Sequence, residues 1–196
     1  MAAVGKVTIG FSKPYIAKYS ASGGVITYTD CQKLARGVSV SASPESSDNN
    51  NFYADNIVAE SDSGTFTGGT VTYTVDGLLQ DAEALIQGLP AADADGFINY
   101  DDDQAIPYLG TGFLIETMSD NVRYWTPVIF TKVSANQIEN EAETEGEEID
   151  WQTQDIEFTL FKDDSAKHCW KRVGGEMASE AAAEAALVAA LGGTTP

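Results

Sequence analysis

His168 and Cys169 are the only neighbours in this 196-residue sequence that pair a base with a soft nucleophile. His168 is also the sole histidine. No histidine cluster can therefore hold a metal, and a Ser/His/Asp triad would have to be built on this one imidazole. The pair lies in AKHCWKRV, among Lys167, Lys171 and Arg172, with no serine elbow elsewhere in the chain. Adjacent residues on a strand point to opposite faces, so His168 and Cys169 cannot act together as a Cys/His couple. Carboxylates are abundant, but most fall in apparent loops rather than on rigid elements that fix an acid–base separation. Asp101, Asp102 and Asp103 are contiguous and lack the ligand register of a calcium loop, so a solvated turn is expected there. There is no glycine-rich phosphate loop with its lysine and no dinucleotide fingerprint. The expectation is a protein without catalysis, cofactor or metal.

Charge points elsewhere. Thirty acidic residues against eleven basic ones give a net charge of -19. That balance disfavours wrapping nucleic acid or lying on an anionic membrane, because both need cations to neutralise phosphate. The acids concentrate in an arm over residues 139–150, which holds Glu139, Glu141, Glu143, Glu145, Glu147, Glu148 and Asp150. Like charges at that density repel, so the arm is expected to be extended. The cations Lys162, Lys167, Lys171 and Arg172 crowd one short stretch. An acidic arm on one copy meeting this patch on another would set register between subunits; a solvated surface is the plainer alternative.

The elements that must position these groups read mainly as strands. A hydrophobic fraction of 43% allows a real core. Val7, Ile9 and Phe11 alternate, with Pro14 expected to end that strand or mark an edge. Ser22-Gly23-Gly24 turns into Val25 to Thr29, a first hairpin. Leu34 to Ser43 is strand-like, and residues 44–56 read as a protruding polar loop. Phe52 and Tyr53 could pin that loop to the core or touch another subunit. Val71, Tyr73 and Val75 alternate with threonines, the clearest strand. A helix over 77–88 follows, with Asp76 as its cap, a Leu78, Leu79, Ala82, Leu85 and Ile86 stripe, and Gly88 and Pro90 as its stop. Thr111 to Met118 and Val122 to Val133 form a hairpin, with Tyr124, Val128 and Phe130 inward and Pro127 implying an edge or a break. The core strand runs through Ile149, Trp151, Ile156, Phe158 and Leu160, with a bulge near Gln154 and Asp155 where the parity changes.

The spacing therefore predicts a mainly β, sandwich- or barrel-like domain over residues 1–173 with one flanking helix. Residues 174–196 read as an Ala-rich appendage, partly helical and docked weakly or only on a partner. Cys31 and Cys169 are expected as free thiols. The opening MAAVGKVTIG has no apolar run after a basic segment, and no stretch approaches the roughly 20 apolar residues of a membrane span. An intracellular, soluble product is expected.

The segment Glu141 to Leu160, EAETEGEEIDWQTQDIEFTL, resembles the signature of the major tail protein, or tail tube protein, of long-tailed phages with non-contractile tails. In that family an acidic ETKGE-like arm precedes an I-F-QTP-L-GT core strand, then an acidic turn and a Trp-Lys pair. Here the turn is Asp163-Asp164 and the pair Trp170-Lys171. The Tyr124-Trp125 strand and the helix from Leu78 to Gln87 fall in the same order, so the likeness spans Val4 to Val173. Thr153 is followed by Gln154 where the family has proline, and the segment from Glu176 is extra. The resemblance implies a β-sandwich with a flanking helix that forms hexameric rings stacked into the virion tail tube. Its partners would be further copies, a tape-measure protein in the lumen, and the tail terminator and distal tail proteins, with duplex DNA passing unbound. The 44–56 loop, through Pro44, Asp48, Asn50, Phe52 and Tyr53, would bridge stacked rings. A virion-displayed β-sandwich adhesion module is the alternative.

Overall fold

The computed structural model describes residues 5–62, 64–90, 93–100, 102, 104–139, 144 and 151–194. Three hairpins set the chain's course. β1 (Val7–Ser22) turns at Gly23-Gly24 into β2 (Val25–Lys33), and β7 (Tyr108–Ser119) turns at Asp120-Asn121 into β8 (Val122–Ala135). Between them, β4 (Asn50–Ala54) turns at Asp55-Asn56 into β5 (Ile57–Asp62). Both central residues of each turn have positive φ, between 50° and 79°. That is the two-residue turn whose twist matches the flanking strands, and Gly, Asn and Asp adopt it at least cost.

The main sheet is antiparallel, in the order β2-β1-β7-β8-β9-β6-β3, where β3 is Gly37–Ser46, β6 Phe66–Val75 and β9 Gln154–Phe161. The short β10 (Lys171–Val173) pairs with Val128 to Phe130 in the middle of β8, and β9 pairs with its last residues, Lys132 to Ala135. β8 and β9 separate β7 from β6 in this order, yet Phe113 of β7 packs edge-on to Tyr73 of β6 with centroids 5.8 Å apart. The Thr111 and Tyr73 hydroxyls share a 3.1 Å hydrogen bond across the same gap. The sheet is therefore rolled over on itself. Ile16, Leu34, Val71, Tyr73, Phe113, Phe130 and Phe158 fill the inside of the roll. Gly37 lets β3 approach β1, because a Cβ there would lie 2.1 Å from the Phe11 ring. Helix α1 (Gln80–Gln87) closes one end with Ala82, Leu85 and Ile86, and Gly88 stops it in the left-handed conformation.

Several expectations are corrected. Pro14 does not end β1. It sits at a bulge where the β1–β7 register shifts between Ser12 and Tyr15, just past the last β1–β2 pair, Tyr15 with Lys33. Its carbonyl accepts the Leu34 N–H at 2.9 Å, so its missing donor faces the side where β1 has run beyond β2, as expected of an edge position. Pro127 does not interrupt β8. Its carbonyl accepts the Gly174 N–H at 2.8 Å, and its ring nitrogen faces that same side, so the ladder to β7 loses nothing. Asp76 does not cap α1, which begins after Leu79. Its carboxylate instead accepts the Arg36 backbone N–H at 3.0 Å and pairs with the Arg36 side chain. Tyr124 is half-buried rather than a core group, with the Lys6 ammonium over its ring.

The core strand is also shorter than expected. β9 starts at Gln154 and pairs with β6 in unbroken register, so there is no bulge at Gln154 and Asp155. Ile156, Phe158 and Leu160 point inward, whereas Trp151 is 84% exposed and precedes the strand. The change of parity marked the strand's start. Ile149 lies outside the described residues.

Nor is the C-terminal segment weakly docked. A second helix, α2 (Glu180–Ala190), begins at a Ser179 cap and buries Ala183, Leu187 and Val188 on the outer face of the sheet. Leu191 joins them against Tyr15, Ala17, Leu114 and Ile129, which makes a second core.

Candidate assembly surfaces

Residues 44–56 are not a loop but the middle of a long β-arm. β3 continues through Pro44, which pairs with Gly69, to Ser46. Ser47 N–H then donates to Thr65 O at 2.9 Å, and Gly64 N–H to the Asn49 side chain at 2.8 Å, which stitches β3–β6 to the β4–β5 tip. Asn50, Phe52 and Tyr53 all lie on β4, and Asp48 lies in its approach. The amide and hydroxyl run of PESSDNNN conceals strand residues that pair with β6 at Phe66 to Gly69 and with β5 at Ser61 and Asp62, and cover no core. Every residue from 41 to 62 is exposed. Of the two roles left open for Phe52 and Tyr53, pinning the arm to the core is excluded by their exposures of 64% and 62%. Ile57 and Val58, 67% and 49% exposed, belong to the same tip.

Register sorts these side chains. Asn50 pairs with Asp62, Phe52 with Glu60, and Ala54 with Ile57, all on one face. Tyr53 pairs with Val58 and Asn51 with Ser61 on the other, the parity being kept by a bulge between Phe52 and Tyr53. One face is thus apolar and acidic, the other apolar and uncharged.

The cations occupy a second surface. Asp163, 6% exposed, organises the loop after β9. Its carboxylate accepts N–H bonds from Ser165 at 3.1 Å and Cys169 at 2.9 Å, plus the Ser165 hydroxyl. Trp170 stacks on Phe66 with centroids 4.4 Å apart, and β10 then carries Lys171 and Arg172 along β8. Lys162, Lys167, Lys171 and Arg172 are all exposed. Lys6, Lys13, Lys18, Arg36, Arg123 and Lys132 each pair with a carboxylate. Among the described residues, the four cations of residues 162–172 pair with none. Lys33 is likewise exposed and without a carboxylate partner among the described residues, so it is their grouping in the chain that sets the four apart.

Of the acidic arm, Glu141, Glu143, Glu145, Glu147 and Glu148 lie outside the described residues, and Glu139 is exposed. The chain leaves β8 and returns to β9 beside an open groove of about 530 Å³, lined by Thr72, Asp76, Asn136, Gln152, Asp155 and Glu157 among others. It carries carboxylates and amides and no cation. Elsewhere, β2 and β3 end the strand order and expose Val25 and Val38.

His168 and Cys169 are occupied locally. His168 Nδ1 lies 3.3 Å from Asp163 O, and the Cys169 thiol donates to Lys171 O at 3.3 Å. Cys31 and Cys169 are both free thiols, and burial pushes the Cys31 thiol up from its ordinary pKa. Among the described residues, no group of three or more His, Cys, Asp or Glu side chains is placed to hold a metal ion, and no helix is long and apolar enough to cross a membrane. Comparison of the sequence with protein-family models and with curated proteins gave no match.

Proposed function

We propose that this chain is a self-assembling structural subunit, forming hexameric rings that stack into the tail tube of a long, non-contractile-tailed phage. The observation that carries the reading is the β3–β6 arm, whose tip sets four large apolar side chains in solvent with no intramolecular use. An isolated two-stranded hairpin is marginal in water and gains stability when another surface covers it. Unpaired edges on β2 and β3 offer sheet extension between copies as a second route. The resemblance in the Glu141 to Leu160 segment supplies the kind of assembly. In it, the tape-measure protein would fill the lumen, terminator and distal tail proteins would cap the ends, and the virion tail would be the location. A net charge of -19 suits a channel that must release DNA, since acidic walls do not retain phosphate.

The arm tip also suits the alternative, a virion-displayed adhesion module that uses Phe52 and Tyr53 as a ligand platform. Sizing with light scattering, alongside negative-stain imaging of the purified chain, separates the two. Rings or tubes of uniform width are expected. A strictly monomeric or trimeric species at high concentration overturns the tube reading and favours adhesion.

A further inference from the structure

We infer that the β4–β5 tip is gripped on both faces, by two different neighbouring copies, rather than laid on one. This rests on the self-assembly reading and specifies its contact. A hairpin resting on a single surface would cover one face and leave the other apolar face wet. Here Phe52 and Ile57 project from one face, Tyr53 and Val58 from the opposite one, and each is about half exposed or more. Aromatic and aliphatic groups of this size act as binding anchors only when they are enclosed. Two exposed apolar faces on one ribbon therefore call for a slot between two bodies.

The occupants are further copies of this chain, and charge assigns one of them. Residues 37–122 contain no Lys, Arg or His, so the whole arm is acidic or neutral. Glu60 and Asp62 share the Phe52 and Ile57 face. The complementary charge is carried by Lys162, Lys167, Lys171 and Arg172, exposed cations with no carboxylate partner among the described residues, of which Lys171 and Arg172 face opposite sides of β10. Their own arm cannot serve them, since every tip residue stands in solvent. The Tyr53 and Val58 face has no charged residue, so a second copy receives it through apolar contact.

The test uses two double variants of the full chain, Phe52→Ser with Ile57→Ser, and Tyr53→Ser with Val58→Ser. All four side chains are exposed in the free subunit, so thermal melting of the subunit should be unchanged and a lost assembly cannot be blamed on misfolding. Each variant should raise the concentration needed for assembly by roughly tenfold or more, as losing an enclosed anchor does. Assembly impaired by only one variant, or by neither, overturns two-sided gripping while the tube reading stands. A wild-type chain that never assembles defeats the tube reading and takes this inference with it. Charge reversal identifies the first partner. At fixed salt, Glu60→Lys with Asp62→Lys should weaken assembly, as should Lys171→Glu with Arg172→Glu, and the chain carrying all four should return toward the parent. Failure of the combined chain to recover removes the β10 cations as that partner.

Discussion

Asp163 shows how one side chain can hold a surface in place. A carboxylate this buried is tolerable because three donors surround it, and its own N–H returns a 2.8 Å bond to Cys169 O. Asp163→Ala strands those donors and should lower stability by about 2 kcal/mol, measured by urea denaturation, because bonds to a charged acceptor are the costly ones to lose. The same variant should weaken assembly, since Lys162 and Lys167 ride on the loop it ties. Asp163→Asn keeps an acceptor and should recover part of both losses. Tyr73 is the contrasting case. Its ring is fully buried and, among the described residues, its hydroxyl meets only that of Thr111, whose own proton goes to Tyr15 O at 3.0 Å. Tyr73→Phe keeps the packing and leaves Thr111 bonded, so a loss of only about 1 kcal/mol is expected in the same denaturation experiment.

Among the elements, α2 departs furthest from its sequence pattern, and the reason is tertiary. Its large apolar groups are few, but Gly112 of β7 opens the site for one of them. A Cβ at Gly112 would lie 2.6 Å from the Leu187 side chain. Leu187→Ala should therefore cost about 2–5 kcal/mol in equilibrium unfolding, as at other filled core sites. The docking also has an electrostatic latch. Burial raises the Glu184 pKa, but the Tyr15 hydroxyl at 2.7 Å and the Lys13 ammonium at 2.9 Å outweigh it and hold the group below the ordinary carboxylate value. A depressed carboxylate contributes stability above its unfolded pKa and loses it as pH falls through the folded one. Glu184→Gln should therefore be less stable than the parent at neutral pH, and the gap should close only below the usual carboxylate range. A gap constant from neutral to strongly acid pH would discount the latch. Legibility in the sequence follows the same logic. β6 could be read because Val71, Tyr73 and Val75 alternate against threonines on a strand with one buried face. The β4–β5 tip could not, because it buries neither face and so carries no alternation, although Asp55-Asn56 between FYA and IVA was a turn signal. Trp151 misled because an aromatic of matching parity looks like core, and parity cannot say where pairing begins.

On the scale of the whole molecule, the apolar tip and the exposed cations of residues 162–172 must work against a charge of -19 on every copy. Long-range repulsion between subunits falls with the Debye length, about 30 Å at 0.01 M salt and about 8 Å at 0.15 M. Contacts between acidic tip residues and the cations of residues 162–172 are weakened by salt as well, but they act over a few ångströms and half of the contact is apolar. Repulsion over the whole surface is thus the larger salt-sensitive quantity. Raising salt from about 0.01 M to about 0.15 M should promote assembly in light scattering, and the gain should level off rather than reverse steeply at higher salt. The Lys171→Glu with Arg172→Glu variant adds four negative charges of change to each copy and should need more salt than the parent to reach any given degree of assembly. Assembly that weakens steadily from the lowest salt upward would instead place the cohesion in ion pairs and demote the apolar faces of the tip.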